Sequence, residues 1–377
     1  MNAAAETNIV IPASLLPHDG RFGSGPAKIR AQAAHKLATS PLLGTSHRQE
    51  PVKALIRHIR AGLGELYSLP DGYRVVLGNG GATYFWDAAV CSLIERRSAH
   101  GVYGEFTRKF ARAAGATPFL ESPYVDEAPA GGVRLPSVRE DADVYAWAQN
   151  ETSTGAAAPV RRPEGADPDA LVLIDATSAA GGMAADISQC DAYYFAPQKN
   201  FSSDGGLWLA FCSPAALARA ARVTASSRWV PDSLNLSLAA QHSEQDETLN
   251  TPAIATLILL ADQLDWLLDN GGLDFAQART QASSSQLYQW AEHQPLAHPF
   301  VADPAMRSPV VVTIDFDDAV DAKLLTRLLR ANGVLDVEPY RKLGRNQIRV
   351  GVYASVDPAD VSALIACLDW LLERVVA

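Results

Sequence analysis

The sequence LVLID at residues 171–175, four apolar residues followed by Asp175, is the feature that most restricts the fold. A strand with one side in solvent alternates apolar and polar residues, whereas four consecutive apolar residues are typical of a parallel sheet covered on both faces. Similar short runs recur through the first two thirds of the chain, separated by patterns with helical spacing. The predicted strands are residues 73–78, 143–150, 171–175, 191–197 and 207–212. This alternation predicts an α/β domain with a mostly parallel sheet and with functional residues at strand ends.

Two helical patterns flank the predicted sheet. One covers residues 83–97, and the other covers residues 249–272. In the second pattern Thr251 is a candidate N-cap, and Asn270 with Gly271 is the expected end.

The last hundred residues have a different pattern. We predict strands at 309–316 and 346–354 and helices at 321–333 and 357–375, the last capped by Asp357. Because single cores seldom grow beyond about 250–300 residues, a chain of this length should contain a large and a smaller domain. The predicted division is a loosely held N-terminal arm at 1–20, a large domain at 21–275 and a smaller α+β domain at 276–377.

A lysine stands just after the predicted strand at 191–197. The sequence PQKNFSSDGG at 197–206 places Lys199 between apolar residues and small polar ones, and the chain has only seven lysines. An ammonium group held at the end of a buried strand is expected to have a lowered pKa, so that its amine becomes nucleophilic. The corresponding chemistry is a Schiff base with a carbonyl cofactor, most commonly pyridoxal phosphate. A solvated loop lysine is the alternative.

Asp175 ends the apolar run, one strand before the strand that leads to Lys199. Neighbouring strands lie about 4.8 Å apart, so two adjacent strand ends can hold opposite sides of one aromatic ring. The ring nitrogen of pyridoxal phosphate needs an acidic partner to stay protonated. Alone, Asp175 is more simply a turn or helix-cap residue, but its pairing with Lys199 favours the cofactor role.

The sequence GNGGAT at 78–83 is a candidate phosphate site. It lies between a predicted strand and a predicted helix, where backbone N–H groups bind anions, although an ordinary tight turn fits as well. This turn lacks the GxGxxG spacing of nicotinamide-binding proteins, and its absence disfavours a nicotinamide oxidoreductase. Phe106 is a candidate to stack on the cofactor ring, although a phenylalanine is more often part of a core.

Charge and composition restrict the partners. The net charge of −10 disfavours nucleic acid or an anionic membrane as a partner, while local clusters can still bind small anions. We find no apolar run as long as a membrane span, and the first 20 residues do not resemble a secretory signal. The four cysteines form no CxxC pair and no metal constellation, so we expect reduced thiols, no metal and a cytoplasmic location.

Seven short stretches together resemble the phosphoserine aminotransferase family, which belongs to the class-V, fold-type-I pyridoxal-phosphate enzymes. In chain order they are FGSGPA (22–27), GTSHRQ (44–49), GNGGAT (78–83), QNETSTG (149–155), LIDATSAAGG (173–182), APQKN (196–200) and LNTPA (249–253). Each is modest alone, whereas their order and spacing are specific. The resemblance covers most of the chain, and it implies the fold of that class, with a large cofactor-binding domain and a smaller C-terminal domain.

The resemblance also implies roles for residues around the cofactor. Lys199 would form the Schiff base and Asp175 would pair with the pyridinium nitrogen. Thr152 would bond near the phenolic oxygen or ring, and Phe106 would take the stacking place that family members often fill with Trp. The residues implied for the cofactor phosphate are Ala82, Thr83 and Gln198, with Asn250 and Thr251 reaching it from the partner subunit of a homodimer.

For the substrate, the resemblance implies that Arg349 binds the α-carboxylate, a bidentate task suited to a guanidinium. His47 and Arg48 would bind the distal anion, which is a phosphate or the side-chain carboxylate of 2-oxoglutarate. A solvated strand arginine is the alternative for Arg349.

This chain departs from the family at two basic positions. Many members have an arginine just after the Gly-Gly turn and a His-Arg pair late in the chain. Here the first position is Ala82, and the late segment reads EPYRKLGRN at 338–346. Arg341, Lys342 and Arg345 are the candidates to replace the missing charge.

The activity implied by the resemblance is transamination between L-glutamate and 3-phosphohydroxypyruvate, giving 2-oxoglutarate and O-phospho-L-serine for serine biosynthesis. The related 4-phosphohydroxythreonine, a precursor of vitamin B6, is a second implied substrate. The nearest alternative is another fold-type-I enzyme, such as an alanine–glyoxylate aminotransferase or a cysteine desulfurase. A non-enzymatic regulator with the same fold is a further alternative, disfavoured because Lys199 and Asp175 are both present.

Overall fold

Seven strands form the main sheet of the computed structural model, which describes residues 9–375. The strands of the first two thirds, in chain order, are β1 (Arg74–Asn79), β2 (Ser98–Val102), β3 (Tyr124–Glu127), β4 (Val144–Ala148), β5 (Asn150–Glu151), β6 (Ala156–Ala157), β7 (Leu171–Asp175), β8 (Ala192–Phe195) and β9 (Leu207–Cys212). The main sheet has the order β1-β9-β8-β7-β4-β2-β3, and β5 pairs with β6. Strand β9 is antiparallel to both neighbours, and the remaining neighbouring pairs are parallel. The prediction of a mostly parallel sheet is confirmed.

Helices cover both faces of this sheet. In chain order they are α1 (Ala31–Ala38), α2 (Glu50–Leu66), α3 (Ala82–Ser92), α4 (Glu105–Gly115), α5 (Pro214–Thr224), α6 (Leu236–Glu244), α7 (Ile254–Asp269) and α8 (Gly272–His293). Successive residues of a strand point to opposite faces. Accordingly Val144 and Ala146 of β4 pack with α3, α4 and α5, whereas Tyr145 and Trp147 pack with α2 and α7. Two-sided burial explains the apolar runs in the sequence.

Helix α7 begins later than predicted. Its N-cap is Ala253 rather than Thr251, and it ends at Asn270 as expected. The carbonyl of Thr251 accepts a hydrogen bond from the side chain of Asn79 at 3.1 Å, so this residue belongs to the preceding turn. The predicted helix at 83–97 is also shorter, ending at Ser92.

The C-terminal part has its own sheet and core. Its elements are β10 (Ala297–Pro299), β11 (Val311–Phe316), α9 (Ala322–Ala331), β12 (Gln347–Gly351) and α10 (Pro358–Val375). The three strands are antiparallel in the order β10-β11-β12, and they pack with α9 and α10 around a separate apolar cluster. Asp357 accepts a hydrogen bond from the N–H of Ala359 at 2.9 Å, as expected of the residue that begins the last helix.

Residues 9–20 join this C-terminal part. The N–H of Ile11 donates to the Asn332 side chain at 2.8 Å, and that side chain donates to the carbonyl of Ile9 at 2.9 Å. Residues 9–20 are therefore bonded to the small core rather than loosely held, and residues 1–8 of the predicted arm lie outside the described residues. The predicted boundary at residue 275 falls within α8, whose side chains enter both cores, and it stays a prediction.

Within residues 9–375, no helix combines the length and the apolar character needed to cross a membrane.

Candidate active site

A cavity of about 350 Å³ lies where β4, β7 and β8 reach their carboxyl ends. This is the edge of a parallel sheet at which ligands bind. Residues predicted to hold the cofactor line it: Ala82, Thr83, Phe106, Thr152, Asp175, Gln198 and Lys199. These residues lie at or just after the carboxyl ends of five different strands, which are β1, β2, β5, β7 and β8, and these ends meet at the cavity.

Lys199 is buried at the base of this cavity. Its side-chain nitrogen donates to the carbonyl of Ser24 at 2.7 Å and lies 3.4 Å from the hydroxyl of Thr152. The pKa of Lys199 is lowered to about 7: burial is the main cause, the nearby Arg349 guanidinium acts in the same direction, and the Asp175 and Glu151 carboxylates oppose the shift. A large fraction of the side chain is therefore the neutral amine at neutral pH, which is the form that attacks a carbonyl group.

Asp175 ends β7 and faces the same cavity. One carboxylate oxygen accepts from the indole N–H of Trp86 at 3.2 Å, and the other accepts from the N–H of Thr177 at 2.9 Å. Burial raises the pKa of Asp175, and the hydrogen bonds from Thr177 and Trp86 oppose this shift. A buried carboxylate is stabilised by a positively charged partner, so a protonated ring nitrogen fits this position.

Phe106 forms one wall of the cavity. It lies in the first turn of α4, and its ring centroid is 5.9 Å from the Lys199 side-chain nitrogen. Tyr340, from the segment between α9 and β12, packs against the same ring with the centroids 5.9 Å apart. Tyr340 thus supports one side of the Phe106 ring, and the side that lines the cavity is available to a planar ligand.

The amino end of α3 opens onto the cavity. Ala82 and Thr83 begin this helix, and Gly81 is its N-cap. The first N–H groups of a helix have no partner within it, and they favour an anion. The Gln198 side chain also lines this part of the cavity, and its amide N–H₂ group can donate to an anion. Together these groups fit the phosphate end of pyridoxal phosphate, with Lys199 and Asp175 at its other functional atoms.

Arg349 lies on β12 and influences Lys199, although it is not among the residues that line the cavity. Its guanidinium donates to the carbonyl of Thr152 at 3.1 Å and lies 5.4 Å from the centre of the Tyr340 ring. Its buried Nε has no partner among the described residues. Arg349 therefore has a donor free for a carboxylate beside Lys199.

The other predicted substrate arginines lie elsewhere. Arg345 forms an ion pair with Asp315 and lies 4.6 Å from the centre of the Phe300 ring. Arg341 is exposed and does not line the cavity. The structure thus does not bring these two side chains to the cavity, and their role with the distal anion stays a prediction.

A second group of predicted residues forms a cluster away from the cavity. Arg48 is ion-paired with Glu247 at 2.5 Å and donates to the carbonyl of Leu249 at 3.3 Å, which ties residues 46–48 to the turn that carries Asn250 and Thr251. The neighbouring His47 has a buried Nε2 without a partner among the described residues. We call His47, Arg48, Asn250 and Thr251 the outer cluster.

Several residues that complete the cavity were not predicted from the sequence. Trp86 was not predicted, although it lies one helical turn after Ala82 and Thr83 and so faces the same side. The carbonyl of Ser24 accepts from Lys199 and from the hydroxyl of Tyr353, the latter at 2.8 Å. The stretch FGSGPA pointed to this segment, but a carbonyl acceptor leaves no signature in a side-chain pattern.

The thiols do not take part in the cavity. Cys190, Cys212 and Cys367 are buried, Cys91 is half-buried, and burial raises the pKa of all four. A desulfurase needs an accessible thiolate on a mobile loop, so this alternative is disfavoured.

Comparison with known proteins identifies the family. The model of the class-V aminotransferases matches residues 135–337, over half of the chain. The putative phosphoserine aminotransferases of Mycolicibacterium vanbaalenii and Mycobacterium leprae are each 60% identical over 97% of this chain, and the matches cover 99% and 97% of those proteins. The phosphoserine aminotransferase of Rhodococcus opacus is 54% identical over 97% of this chain and 98% of its own length. This chain belongs to the phosphoserine aminotransferase family.

Solved structures of this family have the same fold. A phosphoserine aminotransferase from Cytophaga hutchinsonii superposes with a TM-score of 0.86 at 20% identity, covering 93% of this chain and 99% of that one. An alanine–glyoxylate aminotransferase from Nostoc also superposes, with a TM-score of 0.77 at 19% identity, covering 99% of this chain and 100% of that one. The fold is therefore shared with the nearest alternative, and the identity to the curated relatives separates the two.

Membership of the family confirms two predictions. The chain is a pyridoxal-phosphate-dependent aminotransferase, and its fold is that of the fold-type-I enzymes. The cavity agrees with this chemistry, because it holds a buried amine, a buried carboxylate and a helix amino end around one space.

Proposed function

We propose that this protein transfers the amino group of L-glutamate to 3-phosphohydroxypyruvate, giving 2-oxoglutarate and O-phospho-L-serine in serine biosynthesis. The names of relatives at 54–60% identity support this substrate pair. The observation that carries the chemistry is the buried Lys199 amine, whose pKa is lowered to about 7, in the same cavity as Asp175. The predicted second substrate, 4-phosphohydroxythreonine, has the same α-carboxylate and phosphate and stays a prediction.

The cavity residues have separate tasks in this reaction. Pyridoxal phosphate, when bound, withdraws electrons from the substrate Cα and so makes its C–H bond acidic. Asp175 keeps the ring nitrogen protonated, and Arg349 orients the substrate through its α-carboxylate. Lys199, once its amine is free, would move the proton from the glutamate Cα to the C4′ carbon of the cofactor, and in the second half of the cycle it would move a proton from C4′ to the Cα of the acceptor. Burial of Lys199 and Asp175 keeps water from competing for these protons.

The outer cluster supports the proposal that the protein is a homodimer. His47, Arg48, Asn250 and Thr251 have the chemistry expected around a phosphate, yet they do not line the cavity of their own chain. We infer that a second copy brings this cluster to the cavity. Because Arg48 is bonded to Glu247 and Leu249, His47 and Arg48 would enter together with the turn that carries Asn250. Each active site would then consist of residues from two subunits.

The first experiment follows the absorbance of the purified protein loaded with pyridoxal phosphate. Glutamate should remove the visible band of the lysine-bound cofactor, and 3-phosphohydroxypyruvate should restore it. Lys199→Ala should lower turnover by about 10³-fold or more, because the proton transfer at Cα loses its base. Lys323→Ala, which changes an exposed lysine on α9, is the matched control and should leave turnover unchanged.

Two results would contradict the proposal. Restoration of the band by glyoxylate but not by 3-phosphohydroxypyruvate would assign the protein to the alanine–glyoxylate type. Full turnover by Lys199→Ala would show that this lysine is not the base.

A further inference from the structure

Glu151 is a fully buried carboxylate that does not line the cavity. It has 0% exposure and accepts hydrogen bonds on both oxygens. One oxygen accepts from the N–H of Phe106 at 3.1 Å, the N–H of Thr107 at 2.9 Å and the Thr107 hydroxyl at 3.0 Å. The other accepts from the N–H of Ser153 at 3.1 Å and its hydroxyl at 2.6 Å. A buried charge with so many donors is held in one position.

These donors belong mainly to the first turn of α4. The N–H groups there have no partner within the helix, and a negative charge beside them is stabilised by the helix dipole. The Ser153 hydroxyl extends the contact by accepting from the N–H of Glu105 at 2.9 Å. Gly104 makes the approach possible, because a Cβ at that position would collide with the Glu151 side chain. The amino end of α4 is thus fixed by a carboxylate about 45 residues later in the chain.

The same carboxylate lies behind two walls of the cavity. Phe106 is a residue of the turn that Glu151 holds, and its ring is 5.9 Å from the Lys199 side-chain nitrogen. Thr152 follows Glu151 directly, and its hydroxyl is 3.4 Å from that nitrogen. The Thr152 carbonyl also accepts from Arg349. A displacement of Glu151 would therefore move the aromatic wall and the residue beside Lys199 together.

We propose that Glu151 is a positioning residue for the cofactor: it holds the first turn of α4 so that the Phe106 ring keeps its place beside Lys199, where it would stack on pyridoxal phosphate. This inference rests on the proposed placement of the cofactor in the cavity. Glu151 does not touch the cofactor and acts through Phe106. Its side chain therefore matters for cofactor affinity chiefly through the Phe106 ring, and its charge has a smaller effect on Lys199.

A double-mutant cycle on cofactor affinity tests this dependence. The dissociation constant of pyridoxal phosphate is measured with the apo protein from the quenching of tryptophan fluorescence, since Trp86 lines the cavity. Glu151→Gln keeps the shape but replaces one acceptor oxygen with an amide donor that faces N–H groups. We expect Glu151→Gln and Phe106→Ala each to weaken binding about tenfold, and the double variant to weaken it no more than about twofold beyond Phe106→Ala.

Asp143→Asn is the matched control. Asp143 also accepts from backbone N–H groups, those of Glu95, Arg96 and Arg97, but it lies where β4 begins, at the opposite edge of the sheet. Asp143→Asn should lower the melting temperature of the apo protein without changing its affinity for pyridoxal phosphate. Glu151→Gln should change both quantities.

Two outcomes would overturn the proposal. If the losses of Glu151→Gln and Phe106→Ala multiply in the double variant to about a hundredfold, Glu151 acts independently of Phe106. If Glu151→Gln behaves like Asp143→Asn and lowers only the melting temperature, Glu151 stabilises the fold alone. The readout needs no amino acceptor, so a failure of 3-phosphohydroxypyruvate to react would contradict the proposed function and leave this result intact.

Ser153→Ala replaces Glu151→Gln in the double-mutant cycle if the Glu151→Gln protein does not fold. It removes only the hydroxyl that bridges Glu151 and the N–H of Glu105, and the carboxylate keeps its bonds to Phe106 and Thr107. We expect a smaller loss of affinity, about threefold, that again disappears in the Phe106→Ala background. A loss of the same size in both backgrounds would overturn the proposal.

Discussion

At the scale of single residues, the state of Lys199 results from opposing influences. Burial and the Arg349 guanidinium both favour its neutral amine, while the Asp175 carboxylate favours the ammonium form. Near neutral pH, part of the protein molecules therefore have the reactive neutral amine at Lys199. The others have the ammonium form, whose positive charge attracts an anionic substrate.

This balance gives a prediction for the apo protein. The rate at which Lys199 reacts with an acylating reagent should rise with pH through a midpoint of about 7. Arg349→Ala should move the midpoint to higher pH, because loss of a nearby positive charge favours the protonated amine. Asp175→Asn should move it to lower pH, because an attractive negative charge is removed. Mass spectrometry of the peptide that contains Lys199 provides the measurement.

Arg349→Lys is the control for this pair, since it keeps a positive charge at the same place. A midpoint that moved equally in Arg349→Ala and Arg349→Lys would mean that the loss of packing, and not of charge, controls Lys199.

At the scale of elements, the proposed phosphate site of the cavity depends on the turn that leads into α3, because the first N–H groups of this helix form the site. Gly80 has a φ of 114°, and a Cβ there would lie 2.7 Å from the Tyr84 side chain. The turn between β1 and α3 therefore depends on this glycine.

Gly80→Ala should destabilise the apo protein by about 1–3 kcal/mol, because the new side chain is strained in this backbone conformation. The midpoint of urea unfolding measures the effect. Gly81→Ala is the control: Gly81 has an extended backbone, and among the described residues no heavy atom lies within 4 Å of an added Cβ. Equal midpoints for the two variants would show that the turn tolerates the strain.

The sequence predicts elements best where burial is uniform. Strands β4, β7, β8 and β9 are apolar because both faces are covered, and all four were predicted. Strand β2 was missed because it contains Ser98 and His100, which satisfy each other by a 2.8 Å hydrogen bond and so are buried despite being polar. A pattern of apolar residues cannot reveal such a pair. The start of α7 was misplaced because Asn79, far away in sequence, binds the carbonyl of Thr251.

The candidate site was predictable to the extent that it depends on strand ends. Asp175 ends β7 and Lys199 follows the neighbouring strand β8, so their proximity follows from the topology of the main sheet. Glu151 belongs to one of the quoted motifs, but its contacts with Phe106 and Thr107 depend on how α4 packs against β5. Sequence spacing does not contain that information.

At the scale of the whole molecule, the predicted site residues form two sets. One set surrounds the cavity, and the outer cluster lies apart from it on the same chain. In the proposed homodimer, a cavity substitution in one subunit and an outer-cluster substitution in the other fall in the same active site. The second active site of such a mixed dimer is then intact.

Mixing inactive subunits tests this arrangement. Lys199→Ala and Arg48→Ala copies, unfolded and refolded together, should regain about a quarter of wild-type activity, because half of the dimers are mixed and each has one intact site. Lys199→Ala mixed with Asp175→Ala should regain none, since both residues line the cavity of their own chain. Activity that stays at the level of the separate variants in both mixtures would mean that the outer cluster serves its own chain.

The Ser24 carbonyl has a consequence for the way this protein is made. Lys199 contacts Ser24 near the start of the chain, while Tyr353, which shares that carbonyl, and Arg349 lie near its end. A ribosome synthesises these segments in order, so the lysine emerges long before its last neighbours do. The reactive amine therefore arises only after residues 349 and 353 have been synthesised.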